Sequence, residues 1–225
     1  MTGAAVTDES GVSASDAVCW LHEEGLNRLA ALGESSGPVV AYTVEVTTGL
    51  ITVYPSTNKG IGVEATSLAA DDLPAPAEHS NRLVVVGITH NDALLVVDLA
   101  GSLMVAVNGD RPELVARSWA TQLLLNPDIT LTTNSAEIAI GTSPRCKKSF
   151  IPGGGGSIIS VDDGKPPVTT IAMNSPMDST DYLEISPGGL GEMYLGPRFW
   201  QLSHVMTIAD GPWEKLASVL GGIAG

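Results

Sequence analysis

The chain has 225 residues, enough to bury a real core, and 44% are hydrophobic but only 4% aromatic, so that core is built mainly from Val, Leu, Ile and Ala. Asp and Glu number 25 against 11 Lys and Arg, a formal charge of −14, and a field of that sign repels phosphate backbones and argues against nucleic acid as a ligand. No apolar run reaches the length of a membrane span, so direct membrane insertion is not expected. Asp8 and Glu9 stand where a basic leader would be, and Cys19 and Cys146 lie far apart in unlike contexts. The expected setting is the reducing cytoplasm, with membrane association only through a partner.

Residues 1–14 are small, polar and patternless and read as a disordered tail in front of one α/β domain over 15–225. The stretch 15–81 opens with a helix over 15–32, where Val18, Leu21, Leu29 and Leu32 recur at helical spacing and Gly33 offers a left-handed cap. Val39–Val46 and Leu50–Tyr54 form a hairpin turning at Thr47-Thr48-Gly49, and residues 55–81, rich in Pro, Gly, Ser and Asp, form a long covering loop. Three Val-rich runs follow in the unit 82–141: Leu83–Ile88, Ala93–Leu99 and Leu103–Val107, each too short for a helix and so read as buried strands.

A second helix is predicted over 112–125, with Asp110 as its cap, Pro112 in its first turn and Glu113 three residues after the Asp. Leu114, Val115, Trp119, Leu123 and Leu124 give it a broad apolar face, and Asn126-Pro127 stops it. Ile129–Thr132 and Glu137–Ile140 read as strands. In 142–225, Gly153–Gly156 reads as a flexible loop, Ser157–Val161 as a strand and 161–165 as a tight turn. Val168–Met173, Tyr182–Ile185, Glu192–Leu195 and Phe199–Leu202 are further strands, and a last helix covers 211–220. There is no internal repeat. The fold class is α/β: a mixed β-sheet with helices packed on it and several hairpins.

From Leu83 to Leu125 the order is Val86-Gly87, a polar turn at Thr89–Asp92, Leu94–Val97, Asp98-Leu99, Leu103–Val107, Asn108-Gly109-Asp110 and a helix. This order resembles the nucleotide-binding core of FtsK/SpoIIIE-type translocases. The loop itself departs from that family: Val107 is followed by Asn108-Gly109-Asp110-Arg111-Pro112-Glu113, with neither the second glycine nor the Gly-Lys-Ser/Thr ending that cradles phosphate. What the resemblance implies is a degenerate strand-turn-helix scaffold without a bound nucleotide or other cofactor. More diffusely, Gly37–Tyr54, Met104–Leu125, Val168–Met173 and Glu192–Leu202 followed by the Asp210–Leu220 helix together resemble the globular domain found beside LysM and transcriptional-activator-like (BTAD) regions in actinobacterial-type cell-envelope proteins. That second resemblance implies a role in an envelope-associated secretion or pilus-type assembly, although neither of those accompanying repeats is visible in this chain.

Candidate sites reduce to a few. Asp110 accepting from the Glu113 amide, and Glu113 reaching back, would form a structural helix cap and fill the donors a phosphate would use. Asp98 follows an apolar run as a magnesium-holding Asp does, but it precedes the helix turn instead of following it and is expected to accept from turn amides. Ser56-Thr57-Asn58-Lys59 has Ser-x-x-Lys spacing, yet Pro55 and Gly60 make it a turn. Asp71, Asp72, Asp162 and Asp163 are turn carboxylates without a proton-transfer partner, and Asp178 with Asp181 lacks the ligand alternation of a calcium loop. His22, His79, His90 and His204 have no metal-ligand spacing, and His204 is expected in the core. Arg145, Lys147 and Lys148 form the one basic cluster, a possible partner contact that would also favour the Cys146 thiolate. Trp200, with Phe199 and Tyr194, is a second possible partner contact through an exposed aromatic. The functional expectation is a non-catalytic scaffold or protein-interaction module. Its rivals are an enzyme using Cys146 and a structural subunit of a phage or pilus particle.

Overall fold

The apolar runs become extended chain and the amphipathic ones coil. The computed structural model describes residues 12–56, 64–141, 143–151, 156–175 and 179–222. Its helices are α1 (Ala14–Trp20), α2 (Leu26–Ser36), α3 (Pro112–Leu124) and α4 (Asp210–Gly222), and a π turn, Leu21–Gly25, joins the first two. The N-terminal strands are β1 (Val39–Glu45), β2 (Ile51–Pro55), β3 (Thr66–Leu68), β4 (Leu83–Thr89), β5 (Ala93–Asp98) and β6 (Met104–Gly109). After α3 come β7 (Thr130–Thr133), β8 (Cys146–Lys148), β9 (Ser157–Asp162), β10 (Thr169–Met173), β11 (Asp181–Ile185), β12 (Gly191–Leu195) and β13 (Arg198–Val205). They form one mixed sheet in the order β3-β2-β1-β5-β4-β13-β12-β11-β6-β10-β9-β7-β8. Strand β6 runs parallel to both β10 and β11, and β7 runs parallel to β8; the other neighbours are antiparallel.

Two cores flank this sheet. On one face, α3 and α4 pack Val115, Trp119, Leu123 and Trp213 onto Val84, Leu95, Val105, Val107, Ile171 and Leu183. On the other, Leu21, Leu26 and Leu29 of the N-terminal helices pack onto Val44, Ile51, Leu83, Val85, Leu94 and Val96. Strands β4 and β5 therefore bury successive residues on opposite faces, which is why their sequences are apolar without alternation. Each such Leu or Val, wholly removed from water, contributes about 1.5–3 kcal/mol.

Several elements differ from expectation. Residues 13 and 14 belong to the first helix, not to a disordered tail: Ser13 Oγ accepts from the Asp16 amide at 3.2 Å and the Asp16 carboxylate accepts from the Ser13 amide at 3.1 Å. The helix continues past Gly33 to Ser36 and breaks at Gly37, whose φ of 91° suits glycine. The loop 55–81 contains β3 and a short 3-10 turn, Ala70–Asp72. Residues 137–140 are a turn, not a strand; Ile138 and Ile140 both enter the core and so imitate a strand's alternation. The strand here is instead Cys146–Lys148, a polar segment at the sheet edge. The hairpin of β9 and β10 closes through a loop over 163–168, wider than a tight turn. His204 is exposed because a bulge follows Leu202 in β13. Residues 1–11, Thr57–Lys59 of the Ser-x-x-Lys tetrad, Gly153–Gly155 and Asp178 lie outside the described residues.

Candidate functional site

The turn between β6 and α3, where a phosphate loop would sit, is closed by its neighbours. Gly109 has φ 99°, and a Cβ there would stand 2.1 Å from the Ile185 carbonyl oxygen of β11. Its amide donates to Asn174 Oδ1 at 2.9 Å, and the Asp110 amide donates to the Ile185 carbonyl at 3.2 Å. The capping box read from Asp110 and Glu113 does not form. Arg111, in the left-handed conformation, occupies the cap position of α3 without a side-chain cap bond. The physical reason is long-range: β11 takes the Asp110 amide that Glu113 was expected to reach, so the Glu113 carboxylate accepts from Arg111 Nε at 2.9 Å. Arg111 also donates to both Asp210 oxygens, at 3.1 and 3.0 Å, and Arg117 donates to Asp210 at 2.6 Å. The Arg117 and Arg111 guanidinium groups hold the Asp210 carboxyl below the usual carboxylate range. Glu113 and Asp210 thus take up the Arg111 and Arg117 guanidinium groups beside the first turn of α3.

A polar cluster joins the start of β4 to the loop before β10. Arg82, only 2% exposed, donates to the carbonyls of Pro167 and Lys165, each at 2.6 Å, to Thr169 Oγ1 at 3.0 Å and to the Asp163 carboxylate. Burial alone would raise the Asp163 carboxyl, but the Arg82 hydrogen bond, the Lys165 amide and the Arg82 charge hold it below its ordinary value. Asp98, at the end of β5, accepts from the Ala100 amide at 2.9 Å, as expected of a turn carboxylate, and burial pushes its carboxyl up. Beside it is a cavity of about 240 Å³ lined in part by Glu34, Tyr42, Asn81 and Asp98. The Tyr42 hydroxyl donates to the Leu29 carbonyl at 2.9 Å and is pushed up by burial and by Asp98. Among the described residues, no group of three or more His, Cys, Asp or Glu is placed to hold a metal ion. Through its four hydrogen bonds Arg82 staples distant segments together, and the sequence pattern did not single it out.

The basic cluster divides. Arg145 is not free for a partner: its guanidinium donates to the carbonyls of Leu124 and Asn126, each at 2.7 Å, where α3 ends and the helix dipole is negative. Lys147 and Lys148 are exposed on edge strand β8, where lysines discourage strand addition. Cys146 is wholly buried, donates to the Ile138 carbonyl at 3.5 Å, and burial pushes its thiol up. That is the opposite of the thiolate that the neighbouring basic residues were expected to favour. Trp200 packs against the core and meets Tyr54 edge-on at 5.2 Å, so the exposed aromatic of β13 is its neighbour Phe199.

Phe199 belongs to a patch on the stretch of sheet where β11, β12 and β13 alternate. Leu183, Met193 and Leu202 point into the core, while Tyr182, Glu184, Glu192, Tyr194, Phe199 and Gln201 occupy the other face and are half-buried or exposed. Cross-strand register aligns Tyr182, Tyr194 and Phe199 in one row; Tyr182 stacks on Tyr194 at 4.5 Å, and Tyr194 lies 4.8 Å from Phe199. The next row is Asn108, Glu184, Glu192 and Gln201. Tyr194 donates to Glu192 at 3.0 Å, a bond that pushes the phenol up. An aromatic strip thus lies beside a polar strip on this face of the sheet. Comparison with family models, with curated proteins and with solved structures found no match.

Proposed function

We propose that this chain is a non-catalytic protein-interaction module that holds its partner on the open face of β11, β12 and β13. The observation that carries the reading is the in-register row Tyr182–Tyr194–Phe199, with Phe199 45% exposed, on a sheet whose equivalent face over β4 and β5 lies under helices. Stacked rings offer rigid contact area at low entropic cost, as binding surfaces do. The reading is supported by the closed turn at Gly109 and by the burial of Cys146, whose thiol is pushed up. No helix among the described residues is long and apolar enough to cross a membrane; the setting implied by the sequence resemblance is an envelope-associated secretion or pilus-type assembly.

Phe199→Ser tests the reading, because it removes the most exposed ring at little cost to a half-solvated strand. The variant should unfold like the parent and lose the proteins retained by the parent on an affinity column. Retention of the same proteins by a folded Phe199→Ser chain would defeat it, and so would micromolar binding of ATP with magnesium measured by calorimetry.

A further inference from the structure

We infer that the open face recognises arginine side chains of its partner. Three observations point to that chemistry. Glu184 and Glu192 lie directly opposite each other across β11 and β12, a like-charge cross-strand pair, which destabilises a sheet unless a cation sits between. Among the described ion pairs neither has a basic partner. Beside Glu184 in register, Asn108 has a buried side-chain oxygen that receives no hydrogen bond from the other described residues. The row Asn108–Glu184–Glu192 is thus rich in acceptors, and a guanidinium is all donor, with five N–H groups in a planar fork. The row of rings beside it suits the same group, since guanidinium planes stack on aromatic faces where a hydrated ammonium is held less well. A net charge of −14 draws a basic partner toward the face from a distance.

The inference rests on the interaction-module reading, and the experiment separates the two. The probe is a fluorescein-labelled Gly-Arg repeat peptide, titrated with the full chain at physiological salt and followed by anisotropy, with a Gly-Lys repeat of equal charge beside it. The arginine peptide should bind more tightly than the lysine peptide. E184Q/E192Q, which preserves shape, should weaken it about tenfold, because charge-assisted hydrogen bonds are lost. D71N/D72N makes the same charge change on the exposed turn beside β3, at the far edge of the sheet, and should leave affinity within about twofold. Equal weakening by the two double variants, or equal affinity for the two peptides, would show attraction by overall charge alone and overturn the proposal. So would binding of a neutral oligosaccharide to this face with no loss in E184Q/E192Q. If the glutamine variants bind the peptide as the parent does while Phe199→Ser still loses its partner, arginine recognition falls and the module reading stands; if neither change has an effect, both fall.

Discussion

One face of this sheet shows two kinds of surface. Over β1, β2, β4 and β5 it lies beneath α1 and α2, and Leu83, Val85, Leu94 and Val96 are sealed there. Over β11, β12 and β13 the same face carries Tyr182, Glu184, Glu192, Tyr194 and Phe199, partly or largely in water. In the covered half, charges are displaced to strand ends and tied down, as Arg82 is before β4 and Asp98 at the end of β5. In the open half, Glu184 and Glu192 stand mid-strand, and among the described ion pairs neither has a basic partner. A surface left in that condition costs some stability in the free chain, and function is the usual reason for such a cost.

The covered half should be the easier to break. Arg82→Ala removes one partner of a buried pair and strands the Asp163 carboxylate with three bonded oxygens, so a loss of about 3–5 kcal/mol is expected by urea unfolding. Its pH dependence should change too. The Asp163 carboxyl is held below its ordinary value when folded, so its contribution is present above the unfolded pKa and fades as pH falls through the folded one. In Arg82→Ala that acid-side decline should flatten; an unaltered acid limb would mean that the pair does not act as described.

Asp98 has the opposite sign. Its folded carboxyl titrates above its ordinary value, chiefly through burial, so its stabilising contribution is present below the unfolded pKa and is lost as pH rises through the folded one. Asp98→Asn keeps an oxygen for the Ala100 amide and discards the buried charge, which should stabilise the protein by about 1 kcal/mol at neutral pH. The gain should vanish in acid, where the parent carboxyl is already neutral. A variant less stable than the parent at neutral pH would mean that Arg82 attracts the Asp98 charge more strongly than burial opposes it.

What could be read in the sequence follows the same division. Strands β4 and β5 were legible because burial on both faces leaves an unbroken apolar run of strand length. Tyr182–Ile185 read as a strand, but that reading could not show that β12 and β13 would align their rings with it, since register is a property of pairing. Arg82 escaped notice because its partners, Asp163 to Thr169, are more than 80 positions along the chain. The Asp110–Glu113 cap failed for a related reason: local capping chemistry lost to a backbone bond from Ile185. Strand β8, short and charged, carried no hydrophobic period at all.

The smallest expected effect is in the open half. Glu184→Gln relieves the repulsion across β11 and β12 without moving an atom of the core, so the free chain should gain a few tenths of a kcal/mol. Raised salt screens exposed charges, so the gain should shrink as salt is added, which distinguishes it from a packing effect. A loss of stability would show that Glu184 already has a cation in the free chain, and the open face would then have no vacancy for a partner's arginine.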